Sequence, residues 1–117
     1  MYKFKFPIKA ITKDNFKCQN RQGRYFLKQE FKDFEAALRG YALSQIPLGF
    51  KKFEKEDLFV GLTYSFKDHR HADLSNLPKS TLDAFKGILW KDDRQVHGMT
   101  LDMCYGQEFI AMELSLL

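Results

Sequence analysis

Asp73, Lys79, Asp92 and Asp93 fall within the stretch DLSNLPKSTLDAFKGILWKDD: an acid, a lysine on a short predicted helix, then two more acids. Carboxylates in such a pattern can hold Mg²⁺, and a nearby ammonium can meet the charge that develops when a phosphodiester is hydrolysed. Asp73 lies just beyond a predicted strand. The helix runs from about Asn76 to Lys86, and Asp92 and Asp93 sit in the turn after it. A helix of about eleven residues is roughly 16 Å long. The two acidic ends therefore meet only if the chain after Gly87 folds back along the helix, with Ile88, Leu89 and Trp90 as the returning segment. In that case Asp73 and Asp92 or Asp93 would share a Mg²⁺, which takes few carboxylates and keeps several waters. Lys79, one turn into the helix, would reach back to orient a water or steady transition-state charge, and the helix N-terminus would offer its positive end to a phosphate. The same residues also admit a plainer reading. Asp73 would then be a turn residue, Lys79 a surface partner of Asp83 at i+4, and Asp92–Asp93 a turn.

Two basic segments flank this stretch. In His69, Arg70 and His71, a His-x-His pair could hold a transition metal, but an arginine between two imidazoles better suits a phosphate-facing loop. Lys13, Lys17, Arg21 and Arg24 alternate with Asn15, Phe16, Asn20 and Tyr25, either as a nucleic-acid backbone contact with aromatic interleaving or as a solvated loop. Charge is uneven along the chain: residues 1–30 hold eight Lys/Arg against two acids, and the remainder eleven against thirteen. A basic third beside an acidic-centred remainder suits gripping phosphates with one part and placing metal with another.

These residues need a scaffold, and the pattern supplies one. Residues 2–11 alternate apolar and basic as a strand with one wet face, with Pro7 pointing to an edge or bulge. Residues 12–24 read as a long polar loop. From about Leu27 to Ser44, Phe31, Phe34, Leu38 and Ala42 recur at helical spacing, and Pro47 and Gly49 mark the exit. Residues 57–66 form a central strand; residues 94–104 and 107–115 give two more, with a turn near Tyr105–Gly106. Pro78 is acceptable in the first turn of the second helix, Ser75 or Asn76 can cap it, and Gly87 suits its C′ position. The expected fold is α+β (α/β-like): a small mixed sheet of about four strands with two main helices packed on it.

With 117 residues, 44% of them hydrophobic and 29% charged, the chain reads as one ordinary globular domain spanning residues 1–117. No apolar run approaches the roughly 20 residues needed to span a bilayer, and the alternating N-terminus is no signal peptide. A cytoplasmic protein with no membrane partner and no organic cofactor is expected. Cys18 and Cys104, far apart and without CxxC spacing, are expected as reduced thiols.

The stretch resembles the RusA family of Holliday junction resolvases. In that family an acid–x–acid–Asn–x–x–Lys motif opens a helix, and a Gly–x–x–x–x–Asp–Asp–x–Gln–Val/Ile motif follows. Asp73, Ser75, Asn76 and Lys79 stand at the first motif; Gly87, Asp92, Asp93, Gln95 and Val96 stand at the second. Asn20, Arg21 and Tyr25 sit in the family's N-terminal loop region, and Phe31 to Ala42 matches its first helix. The resemblance implies a homodimeric, Mg²⁺-dependent endodeoxyribonuclease, encoded mainly by phages and prophages, that nicks two strands of branched DNA, a four-way junction, symmetrically. It assigns Asp73, Asp92 and Asp93 to the metal and Lys79 to catalysis, and leaves His69, Arg70, His71 and Asn76 beside the DNA. Trp90 would pack under the second helix or wedge into the junction. Ser75 departs from the pattern, standing where a second acid is expected. Its hydroxyl would hold a metal-bound water at most, and a non-cleaving junction-binding protein of the same fold is the alternative.

Overall fold

The computed structural model describes residues 1–19, 21–23 and 25–117, with only the backbone described for 15–19 and 25–27; the sequence expectations on Asn20 and Arg24, and on the side chains of Lys17 and Tyr25, lie outside the described residues. The elements in chain order are β1 (Tyr2–Phe6), β2 (Lys17–Gln19), β3 (Tyr25–Leu27), α1 (Gln29–Gln45), β4 (Leu58–Phe66), α2 (Leu77–Asp83), β5 (Val96–Tyr105) and β6 (Phe109–Leu116). Short 3₁₀ turns cover Lys13–Phe16, Leu74–Asn76 and Asp93–Gln95. Four strands form one sheet in the order β1-β6-β4-β5, and β2 and β3 make a separate ribbon. Only β4 and β5 run parallel; β1–β6 and β4–β6 are antiparallel. This is the mixed α+β sheet expected from the sequence, with residues 58–66 near its centre.

Alternation chooses the buried face. Leu58, Val60, Leu62, Tyr64 and Phe66 of β4 point inward with Ile110, Met112 and Leu114 of β6 and Phe4 and Phe6 of β1. Both helices cover this face. Phe31, Phe34, Leu38 and Ala42 form the buried stripe of α1, and Leu77, Thr81 and Leu82 that of α2. Phe6 stacks on Phe85 at 5.3 Å, and Phe85 meets Trp90 edge-on at 6.0 Å. Trp90 is fully buried, so it packs under the second helical region and is not a wedge.

Three boundaries move from the sequence expectation. β1 stops at Phe6 rather than residue 11, because Pro7 has no N–H for the ladder and Ile8 N–H already turns back to Phe6 O at 2.8 Å. The polar stretch from residue 12 onward contains a 3₁₀ turn and the β2–β3 ribbon rather than an unbroken loop. α2 is seven residues long, not eleven, ending in tightened bonds from Ala84 N–H to Thr81 O and Phe85 N–H to Leu82 O. Gly87 then takes φ +85, a left-handed turn residue.

Two side chains tie helices to strands. The Gln45 amide accepts from Lys5 N–H at 2.9 Å and donates to Lys5 O at 2.8 Å, satisfying part of the open edge of β1. The buried Tyr64 hydroxyl donates to Thr81 Oγ1 at 2.9 Å, and that hydroxyl donates to Leu77 O at 3.0 Å. Burial pushes the Tyr64 phenol well above its ordinary pKa. Tyr64→Phe removes this bond while Thr81 keeps its own acceptor. Urea unfolding should therefore show a loss of about 1 kcal/mol without a change in fold.

Candidate active site

β4 ends at Phe66, and the chain leaves it through His69, Arg70 and His71 to Asp73. Asp73 adopts an extended conformation before the Leu74–Asn76 turn, and its carbonyl accepts from Asn76 N–H at 3.0 Å. The exposed Asp73 lines a cleft of about 230 Å³ with Thr12, Asp14, His71, Ala72 and Asn76. Ser75 is exposed on the same turn, and Lys79 is exposed on the first turn of α2. Neither Ser75 nor Asn76 caps α2 by a side-chain hydrogen bond in the manner expected: residue 76 occupies the cap position without one.

The second acidic group stands at the other end of α2. Asp92 accepts from Arg94 N–H at 2.9 Å, pairs with the Arg94 guanidinium at 3.1 Å and caps the Asp93–Gln95 turn. Those bonds from Arg94 hold its carboxyl below the usual range. Asp93 is different. It accepts from Trp90 Nε1–H at 2.6 Å, and burial raises its carboxyl, opposed by that indole bond and reinforced by the neighbouring Asp83. Asp83 in turn pairs with Lys13 Nζ at 3.8 Å, not with Lys79 as the plain i+4 reading has it.

After Gly87 the chain turns back far enough to bring Asp93 beside Asp83, the last residue of α2. Gly87 N–H donates to Trp90 O at 2.7 Å, closing a tight turn, and Trp90 bridges to Phe53, with Phe53 N–H donating to Leu89 O at 3.0 Å. Asp73 precedes α2 and Asp92–Asp93 follow it, with α2 itself about 10 Å long for its seven residues. Among the described residues, no three His, Cys, Asp or Glu side chains stand close enough to hold a metal together. The donors themselves fit a hard cation such as Mg²⁺. Asp73, Asp14 and the Asn76 amide offer oxygens in an open, polar cleft that leaves room for water. His71 is less suited, with Nδ1 at 2.8 Å from Ala72 O and Nε2 at 2.9 Å from Tyr105 Oη.

The basic residues divide. Arg70 pairs with Asp68 at 2.8 Å and holds that carboxyl at a pKa of about 2, yet its side chain remains largely exposed. Lys13 turns its ammonium to Asp83 while its N–H donates to Ser80 Oγ at 2.8 Å, so it braces α2 instead of standing free for DNA. Arg21 and His69 are exposed. Lys9, not singled out from the sequence, donates to Arg70 O at 2.9 Å and so fixes the basic loop. Asp14, which lines the cleft, and Asp83, which pairs with Lys13, were not singled out as candidates either. The sequence signal for Asp14 was its position beside Lys13 in the polar stretch, and for Asp83 its place on α2.

The family model for endodeoxyribonuclease RusA matches residues 7–115, nearly the whole chain. The chain belongs to the RusA family. No match was found among curated proteins. RusA-family proteins are Holliday junction resolvases, endonucleases that bind branched DNA.

The family's Gln has a clear structural task in this RusA-family chain. Buried Gln95 accepts from Lys91 N–H at 3.0 Å and Asp92 N–H at 2.9 Å, while its amide donates to Phe53 O and Glu56 O, both at 3.2 Å. One side chain thus pins the acidic turn to the loop before β4. Gln95→Glu keeps the size and the acceptor but turns an acceptor oxygen towards two carbonyls. Chemical denaturation should show a loss of about 2–3 kcal/mol.

Proposed function

We propose that this RusA-family chain is a Mg²⁺-dependent endonuclease that resolves four-way junctions by paired symmetric nicks. It would act as a homodimer in the bacterial cytoplasm, from a phage or prophage gene. The observation that carries this reading is the placement of Asp73 in an open polar cleft beside Asp14 and Asn76, with the exposed Lys79 in the helix that follows. A four-way junction has approximate two-fold symmetry, so a C₂ dimer would present one such cleft to each of two strands.

Asp73 would hold the cation, with Asp14 in the same cleft supplying the second carboxylate that Ser75 lacks. Asp93 would contribute rather than Asp92, since Arg94 and the turn cap already engage the Asp92 carboxylate. When bound, Mg²⁺ supplies positive charge at the scissile phosphate and a more acidic water. The Lys79 ammonium would stabilise the negative charge that develops on the phosphoryl oxygens. Asn76 can hydrogen-bond a phosphate oxygen from the same wall of the cleft. Arg21 and Arg70 would hold the DNA backbone by charge, with the exposed His69 ring beside Arg70, so binding should weaken as salt rises.

The test is a labelled four-way junction incubated with and without Mg²⁺, beside Asp73→Asn and Lys79→Ala. Each variant should lose nicking by about 100-fold or more while retaining junction binding. Band shifts without nicks at every Mg²⁺ concentration would instead establish a binding protein that does not cleave, the reading favoured by Ser75. Adding charge should move the site the other way. Ser75→Asp is expected to tighten Mg²⁺ binding by about tenfold, measured by calorimetric titration, because carboxylate count tunes affinity for hard cations.

A further inference from the structure

The geometry points to Tyr105 as a positioning residue for Asp73, acting through the His71 ring. This rests on the reading of Asp73 as the principal acid of the cleft, and the hydrogen-bond pattern carries it. His71 Nδ1 lies 2.8 Å from Ala72 O. A carbonyl can only accept, so Nδ1 carries a proton, and in the singly protonated ring Nε2 then accepts. The group 2.9 Å from Nε2 is the Tyr105 hydroxyl, which therefore donates. The hydroxyl's other neighbour, Met103 Sδ at 3.5 Å, is a weak acceptor by comparison. Tyr105 thus selects one tautomer of His71, and that tautomer holds the Ala72 carbonyl.

The carbonyl matters because it belongs to the peptide plane that ends at the Asp73 nitrogen. Fixing one side of a planar peptide fixes the other. The rotation that would swing the Asp73 carboxylate out of the cleft is thereby resisted. The ring itself is clamped. It stacks on Phe66 at 4.1 Å with an interplanar angle of 9°, and Phe66 is the buried last residue of β4. Tyr105 is held opposite by sheet register, pairing with Phe66 across the parallel ladder. Gly106 N–H donates to Phe66 O at 2.9 Å, and Ser65 Oγ donates to Gln107 O, so the turn carrying Tyr105 is tied to the same strand end. His69 lies against the Tyr105 ring at 4.4 Å. Sheet, tyrosine, histidine and acid form one chain of contacts.

The experiment uses the full chain with ¹⁵N-labelled histidine and the variants Tyr105→Phe, His71→Ala and the double variant. In the wild type, the nitrogen shifts of His71 should report a single Nδ1–H tautomer; in Tyr105→Phe they should report a mixture. Junction cleavage by Tyr105→Phe should fall by roughly 10–100-fold in kcat, with KM, junction affinity and Tm unchanged. The double variant should be no slower than His71→Ala, since both act through one ring. Unchanged nitrogen shifts and kcat in Tyr105→Phe would overturn the proposal. So would a loss of junction affinity with the tautomer intact, which would make Tyr105 a DNA contact. If the wild type nicks no junction, the nuclease reading fails on its own account. The nitrogen shifts then decide the Tyr105–His71 link alone, a mixture in Tyr105→Phe supporting it and an unchanged tautomer overturning it.

Discussion

Neighbouring strands that run parallel cannot be joined by a tight turn; the chain must cross over the sheet and return. β4 and β5 are such a pair, and the crossover between them, residues 67–95, carries Asp73, Lys79, Asp83, Asp92 and Asp93. The parallel register fixes where each belongs. Asp73 follows the C-terminal end of β4, whereas Asp93 precedes the N-terminal end of β5, with Leu58 opposite Val96 and Phe66 opposite Tyr105. Open sheets place ligands outside the carboxyl ends of their strands. The Asp73 cleft lies at that end of β4, whereas Asp93 is half-buried and engaged by an indole.

A crossover that long keeps its shape only if it is anchored. Trp90, Phe85 and Leu89, all fully buried, fill the space between α2 and the sheet. Burying large aromatic groups contributes a few kcal/mol each, and none of that depends on DNA or metal. Polar anchors then set the register: Tyr64 to Thr81, Gln95 to Phe53 and Glu56, and Lys13 to both Ser80 and Asp83. Apolar burial supplies the stability, and these few hydrogen bonds decide which side chains remain at the surface.

The elements were legible where one periodicity ruled. Phe31, Phe34, Leu38 and Ala42 announce α1 because their spacing serves one buried stripe, and 57–66 announces β4 because alternate residues are buried. The short elements were not legible. The β2–β3 ribbon has only three residues per strand, too few for alternation to register. The length of α2 was overestimated because Ala84, Phe85 and Ile88 continue a helical stripe, yet they pack from a tightened turn instead. For the site, the sequence named candidate residues and their separation along the chain but could not fix the path after Gly87. That path depends on Phe53, more than thirty residues away, pairing with Trp90. Nor does any local pattern reveal that Tyr105, at the end of a later strand, reaches His71.

The same non-local logic places Asp14. Lys13 and Asp14 are consecutive, yet one turns to Asp83 at the C-terminal end of α2 and the other lines the cleft at its start. A 3₁₀ turn spreads adjacent side chains by about 120°, which allows one short segment to serve both ends of the helix. The basic N-terminal third therefore has a structural task. Its turn supplies a carboxylate to the cleft and the cation that balances Asp83, so residues 12–14 reach both the cleft and the last residue of α2.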